Sequence, residues 1–464
     1  MQPLGGCFLG TEQPDLALAI PAAYRDAGTT SHGAMPGLEW WRGFRSRELS
    51  RLIGEAQLAN FDIAVAVARI IQADAQSRIS GAPLLPSAQL DGSASRSRAS
   101  QAVGGGGGGG GGSERDLYSA SLSASYELDF WGKNRATLRA TEENAIVSRF
   151  DRDVVALSTL ASVANAYFQV LGTQDRLRYA RDNLAAANRV LNVIQQRLTV
   201  GTASALDLAQ QQSVVNTQRA TIPQLEQTLR QNTATLAVLI GRPPEFVRIR
   251  GGSMSNVAIP RVTPGLPSEL LTRRPDVRAA EAQLASTNAS VEAARAAFFP
   301  SIALTAQGGY QSAVLASLFR PEAAFYQLAA GLTQPIFDGG LLQGQLDLQK
   351  GRQEEFLQDY RKAVVQAFAD VDSALVATQQ LALRERLQGE VVASSWQAFQ
   401  IAEQRLREGT VDLITVLNTQ QTLFQAQDTL AQVRLARLQA IVSLFQALGG
   451  GWPSATAHRQ AKLQ

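Results

Sequence analysis

The feature that most limits what this chain can fold into is an internal duplication. Across its 464 residues, Leu84-Leu85-Pro86-Ser87 is echoed by Phe298-Phe299-Pro300-Ser301. Phe130-Trp131-Gly132 corresponds to Phe337-Asp338-Gly339, a separation of 207 residues. Arg197-Leu198-Thr199-Val200-Gly201-Thr202 corresponds to Arg405-Leu406-Arg407-Glu408-Gly409-Thr410, a separation of 208. Leu239-Ile240-Gly241 closes the first copy much as Ala447-Leu448-Gly449 closes the second. The last three of these anchors hold their separation to within one residue, which means two copies of one unit. The unit spans 38–240 and again 274–449, between an N-terminal linker (1–37), a connector (241–273) and a short tail (450–464).

Inside each copy the hydrophobic period changes from two to the helical value. Over 117–129, Tyr118, Ala120, Leu122, Ala124, Tyr126 and Leu128 alternate with Ser119, Ser121, Ser123, Ser125, Glu127 and Asp129. That is a strand with one apolar and one polar face. The pattern recurs at 301–312 and 325–336 and, more weakly, at 84–96, giving two strand hairpins per chain. The two tyrosines near the ends of the apolar face are eight residues apart, about 26 Å along a strand. With a tilt of about 40° they cover roughly 20 Å, comparable to the apolar band of a membrane barrel with its aromatic girdles. The loop of the first hairpin holds Gly104 to Gly112. Ser113-Glu114-Arg115 follows it, so the Lys-Ser or Lys-Thr of a phosphate-cradling loop is missing and the run reads as a flexible surface loop.

The remainder reads as long helix. Residues 133–198 lack proline and carry Val155, Leu157, Leu160, Val163, Ala164, Tyr167 and Phe168 at helical spacing. Residues 341–406 repeat the pattern. Each long helix meets a Gly-Thr turn and returns through 203–240 or 411–447, with Pro223 expected to kink the first return. Helices of this length also suit a soluble coiled-coil rod, which is the alternative of a different class. The alternating strands argue against it. Two isolated hairpins do not make a stable soluble sheet, whereas closure with other copies removes their free edges.

Composition excludes other functions. The net charge is +3 and no basic cluster accompanies it, so nucleic acid is not an expected partner. Two histidines, His32 and His458, with a single cysteine leave no zinc site and no disulfide within the chain. There is no nucleophile elbow and no histidine with catalytic partners, so no enzyme activity and no cofactor are expected. The 45% hydrophobic content is interspersed with charge, and no transmembrane helix is expected. Leu4-Gly5-Gly6-Cys7 reads as a lipobox with Cys7 the acylated residue. The segment before it is too short for a secretory signal, so either the start is truncated or Cys7 is unmodified.

Several motifs point to one family. They include Trp40-Trp41, Glu127-Leu128-Asp129-Phe130-Trp131-Gly132, Leu271-Thr272-Arg273-Arg274-Pro275-Asp276 with the following Val277-Arg278-Ala279-Ala280-Glu281, and Pro335-Ile336-Phe337-Asp338-Gly339-Gly340. With the duplicated layout, the chain resembles the TolC-type outer-membrane factors, in particular their NodT- and OprM-like lipoprotein branch. The resemblance implies a mainly α fold with a membrane β-barrel. Three copies would share one twelve-stranded barrel and an α-helical periplasmic tunnel. It implies an outer-membrane exit duct for efflux, with a periplasmic adaptor and an inner-membrane pump of the resistance-nodulation-division (RND) class as partners and outer-membrane lipid around the barrel. A type I secretion duct is the alternative within the class. By motif position the tunnel tips are turns at about 199–203 and 407–411, and Val200, Gly201, Thr202, Glu408, Gly409 and Thr410 are the expected adaptor-docking residues. Some relatives carry two inward aspartates on the second return helix; Thr415 and Asn418 stand at those positions here. Asp207 occupies the matching acidic position of the first unit, and with Arg405, Arg407 and Asp412 it is the candidate gate.

Overall fold

The structure, a computed structural model, describes residues 39–98, 114–262 and 265–450, together with positions 18, 21, 24 and 37. Eight α-helices and four strands are formed: α1 (Arg47–Ala59), α2 (Phe61–Gly81), β1 (Ser87–Arg98), β2 (Glu114–Leu128), α3 (Lys133–Thr199), α4 (Ala205–Leu239), α5 (Pro267–Arg273), α6 (Pro275–Ala296), β3 (Ser301–Ser312), β4 (Ala324–Thr333), α7 (Leu341–Arg407) and α8 (Leu413–Ala447). Helices α3 and α7 have 67 residues each, and α4 and α8 have 35 each, so the duplication holds to the residue. At 1.5 Å per residue the long helices run about 100 Å. The return helix α4 is continuous through Pro223.

The chain divides into two compact units. The first comprises Ile70–Ser148 with Ala280–Tyr360 and contains the sheet. Its order is β1-β2-β3-β4, antiparallel throughout. The register brings the four apolar faces together: Leu90 opposes Leu122, Ala124 opposes Ala306, Tyr126 opposes Leu304, and Ala306 opposes Leu328. The polar positions share the other face, where Ser87 and Ser125 hydroxyls lie 2.8 Å apart, as do those of Ser93 and Ser119. Gln307 donates to Ser121 at 3.2 Å. The apolar face stays uncovered: Leu90, Leu328 and Tyr326 are 80%, 75% and 84% exposed. A sheet whose oily face is bare and whose serine-rich face is internally bonded is built for lipid on one side and water on the other. Strands β1 and β4 each keep one unpaired edge within the chain, a template for further strand pairing.

Where β2 passes into α3, the Asp129 carboxylate accepts from the Asn134 and Arg135 amides, both at 2.9 Å, and caps the helix. Asp338 does the same for α7 through Gly340 and Leu342, at 2.9 and 2.8 Å. Trp131 stacks on Phe299 and donates from Nε1 to the Pro300 carbonyl, which fixes the joint.

Of the described residues, the second unit holds 39–69, Arg149–Ala279 and 361–450. Its main core gathers Trp40, Trp41, Phe44, Leu49 and Ile53 against Tyr167 and Phe168 of α3 and Phe445 of α8. The uncharged stretch of α3 beyond Asp153 is long and apolar enough to cross a membrane, yet more than half of it is buried in the chain. It is the core segment of a helix bundle. Pairs Arg181–Glu226 and Asn232–Thr173 run α4 antiparallel to α3. Gln388–Ala426 and Glu385–Arg434 do the same for α7 and α8.

The second repeat opens on the Arg274-Pro275-Asp276 stretch, and its arginine is structural. Arg274, nearly buried, is bidentate on Asp276 (Nε 3.0 Å, Nη2 2.6 Å). It also reaches Asp370 on α7 at 2.9 Å and the Ala447 carbonyl at the end of α8 at 3.3 Å. One planar guanidinium thus ties three chain segments, a geometry that lysine does not reproduce.

Candidate functional site

The paired hairpin tips lie in the second unit. Each long helix ends in the same turn. The Gly201 amide donates to Leu198 at 3.0 Å and the Thr202 amide to Arg197 at 2.8 Å; Gly409 donates to Leu406 at 3.1 Å and Thr410 to Arg405 at 3.0 Å. Both threonine hydroxyls add a 3.2 Å bond to the same arginine carbonyl. Both glycines sit at φ +75°, the left-handed region that a side chain enters at a cost of about 1–2 kcal/mol. This is a Schellman cap, and it reverses the chain with the orphan carbonyls satisfied.

The return helices are capped by a carboxylate–hydroxyl pair whose members are exchanged between the copies. In the first, Ser204 is the N-cap; it accepts from the Asp207 amide at 3.1 Å, and Asp207 reaches back to the Ser204 amide at 2.8 Å. In the second, Asp412 is the N-cap and accepts from the Thr415 amide at 2.9 Å. The bonds to Thr415, side chain first and then backbone, hold the Asp412 carboxyl below its usual range.

Beneath the turns the tips share one core. Val190, Ile194, Phe399, Leu406, Leu413 and Val416 are buried together and join the two hairpins. Arg197 adds a polar clasp: Nη1 donates to the Leu406 carbonyl of the other hairpin at 2.8 Å and Nη2 to its own Thr202 carbonyl at 3.2 Å. Above the core, Val200, Leu206 and Ile414 stand 73%, 65% and 58% exposed.

The candidate gate residues are placed as follows. Asp207 and Asp412 are engaged in their own helix caps. Arg407 pairs with Glu403, which Arg189 also approaches at 3.5 Å. Arg405 is exposed. Within one chain no arginine reaches Asp207 among the described residues. Asn418 lines an open cavity of about 740 Å³ with Gln210, Ser213, Thr217 and Gln421, and the Arg176–Asp428 pair lines it too. Sequence reasoning missed the Arg197 clasp and this neutral polar lining. The matched positions of Arg197 and Arg405 were visible, but not what either one touches. Cys7, the polyglycine run and the last 14 residues lie outside the described residues.

A duplicated chain with four strands that are bare on one face and open at both edges, and with two long helical hairpins closed by matched turns, is the protomer of a trimeric outer-membrane channel. Comparison with known proteins makes this particular. The family profile described as outer membrane efflux protein matches residues 52–242 and 266–450. A pyoverdine export outer membrane protein, OpmQ, of Pseudomonas putida is 41% identical over 95% of this chain and 93% of its own length. A toluene efflux pump outer membrane protein, TtgC, also of Pseudomonas putida, is 32% identical over 99% of this chain and 96% of its own. Among solved structures, the outer-membrane channel OprN superposes with a TM-score of 0.89 at 25% identity, over 96% of this chain and all of that one. The chain belongs to the outer membrane efflux protein family. It is an outer-membrane protein and serves as the exit duct of an efflux system.

Proposed function

We propose that this duct works in a tripartite assembly fed by an RND-type pump, and that a periplasmic adaptor docks on the two tips. The observation that carries this is the make-up of the tips. The glycine and threonine amides of each turn are bonded within it, yet Val200, Leu206 and Ile414 remain exposed beside Gly201, Thr202, Glu408, Gly409 and Thr410. Beyond the adjoining residues, a Cβ built on Gly201 or Gly409 meets nothing within 4 Å. That leaves a smooth, shallow surface against which another backbone can approach closely. Exposed aliphatics grouped on such a surface favour burial against a partner. The stronger likeness to a pyoverdine export protein than to a toluene efflux protein favours a pyoverdine-like cargo.

The test replaces Gly201 or Gly409 by valine in a host that depends on this duct. The expected outcome is a protein that still inserts in the outer membrane as a trimer while pyoverdine export and drug resistance fall to those of a strain lacking the duct. Full export with both variants would overturn the docking role.

A further inference from the structure

No basic run marks the place in the sequence, yet the fold gathers a basic site. Arg47 and Arg51 of α1 and Arg242, Arg248 and Arg250 of the connector line one open cleft of about 480 Å³, with Glu48 and Glu55 as its acidic members. Both glutamates are engaged. Glu55 lies 2.9 Å from Arg51 and 3.5 Å from Arg242. Glu48 accepts the Arg250 amide at 2.9 Å and the Tyr167 hydroxyl at 3.4 Å, so it fixes the backbone and leaves the Arg250 guanidinium alone. Arg47, Arg248 and Arg250 are exposed, and their guanidinium groups have no partner among the described residues. Five cations against two carboxylates leave an excess of +3 in this cleft, as large as the net charge of the whole chain.

The connector arginines are placed, because their backbone is pinned. Val247 is buried and Ile249 packs against the main core, so along this extended stretch Arg248 and Arg250 turn to the other side. Gln174 of α3 donates to the Ile249 carbonyl at 3.2 Å. A Cβ built on Gly251 meets the Tyr167 hydroxyl at 2.6 Å and Glu48 Oε2 at 2.8 Å, a close approach that a side chain would break. On α1, Arg47 and Arg51 are one turn apart and share a face. Phe246 also lines the cleft and is 76% exposed. A guanidinium is a fixed fork of donors that suits the paired oxygens of phosphate and carboxylate. Near neutral pH one phosphoryl group carries about −1.5 to −2. Two linked phosphoryl groups therefore meet the excess charge and offer oxygens to three guanidinium groups, and the cleft has the volume of a small-molecule site. We propose that the cleft binds a diphosphate group, with Arg47, Arg248 and Arg250 as its direct ligands. Arg51 and Arg242 add to the field and are steadied by their shared Glu55. Phe246 covers the organic part that bears the diphosphate. The site shares no residue with the tips or the sheet, so its occupancy is a question separate from docking at the tips.

The test titrates inorganic pyrophosphate into the full chain in detergent at low ionic strength, followed by calorimetry. The expected result is saturable binding of one pyrophosphate per chain, with citrate, also multiply charged, weaker by about tenfold or more. The double variant Arg248→Ala with Arg250→Ala should weaken pyrophosphate by about tenfold or more, because it removes charge-assisted hydrogen bonds. Arg230→Ala takes an exposed arginine from α4 outside the cleft and should bind as the parent does. No saturable binding by the parent overturns the site. An equal loss in Arg230→Ala, or citrate as tight as pyrophosphate, reveals attraction to charge alone and overturns the diphosphate assignment. Adenosine diphosphate and geranyl diphosphate then distinguish the source. Tighter binding of the first supports a soluble ester in the cleft, and tighter binding of the second supports a lipid headgroup there. Failure of both to displace pyrophosphate overturns the cleft as a site for diphosphate esters.

Discussion

Charged side chains in the helical unit are placed by very local geometry, and two of the candidate gate residues bond within their own turns. Asp207 and Asp412 stand at homologous turns yet at different cap positions, because Ser204 and Thr415 supply the hydroxyl at the complementary place. Asp153 is a different case. It is buried at 3% exposure, and although Arg152 Nε lies 3.1 Å from Oδ1, no hydrogen bond forms to that oxygen. Burial pushes its carboxyl up to about 6, with Arg152 opposing. A carboxyl raised above its unfolded value costs nothing when both states are protonated; the cost grows as pH rises from about 4 through 6. At neutral pH it amounts to on the order of 2–3 kcal/mol. Asp153→Asn should therefore melt higher than the parent protein at pH 7.5, and the difference should vanish near pH 4. Thermal unfolding across that range in detergent measures it, and a difference independent of pH contradicts the assignment.

At the level of the element, the strands are defined by which of two neighbouring residues meets lipid. Leu328 and Gln327 are adjacent on β4 and point to opposite faces; Leu328 opposes Ala306 in register and Gln327 opposes Gln307. A cationic residue on the lipid face near the midplane costs about 2–4 kcal/mol, while the water-facing side tolerates it. Leu328→Arg should lower the amount of folded protein in the outer membrane and its resistance to urea, and Gln327→Arg should leave both near the parent level. Equal effects from the two variants would mean that the sheet does not separate lipid from water. The helical hairpins follow a different rule. Their apolar stripes are broad, and the turns, not the stripes, set where the chain reverses, since Gly201 and Gly409 adopt a conformation closed to most residues.

At the scale of the whole molecule, neither the sheet nor the tips are finished in one chain. The sheet has two open edges and an exposed apolar face, and the second hairpin has an arginine, Arg405, without a partner among the described residues. Closing a barrel removes every strand edge, which four strands by themselves do not do. The protein should accordingly fractionate with outer membranes and run as a detergent-stable trimer on an unheated gel, collapsing to the monomer on boiling. A chain that stays in the soluble fraction without detergent would contradict the duct. The same incompleteness explains why relatives with cargoes as different as pyoverdine and toluene share one architecture: the duct's structural problem is closure, and that is independent of what passes.

By itself the sequence determined the duplication, the four alternating strands, the lengths of the helical hairpins and the position of both Gly-Thr turns. These depend on period and on backbone conformation, which nearby residues dictate. The sheet register then matched the faces already legible at Tyr118, Leu122, Leu304 and Leu328. Only the tertiary structure decided that Arg274 ties the start of α6 to α7 and α8, that Asp207 caps its own helix, and that Arg197 is engaged while Arg405 is not. Partner choice for a long charged side chain is set by packing between segments hundreds of residues apart. Two arginines in identical local sequence frames can therefore meet different surroundings, and no local pattern records which.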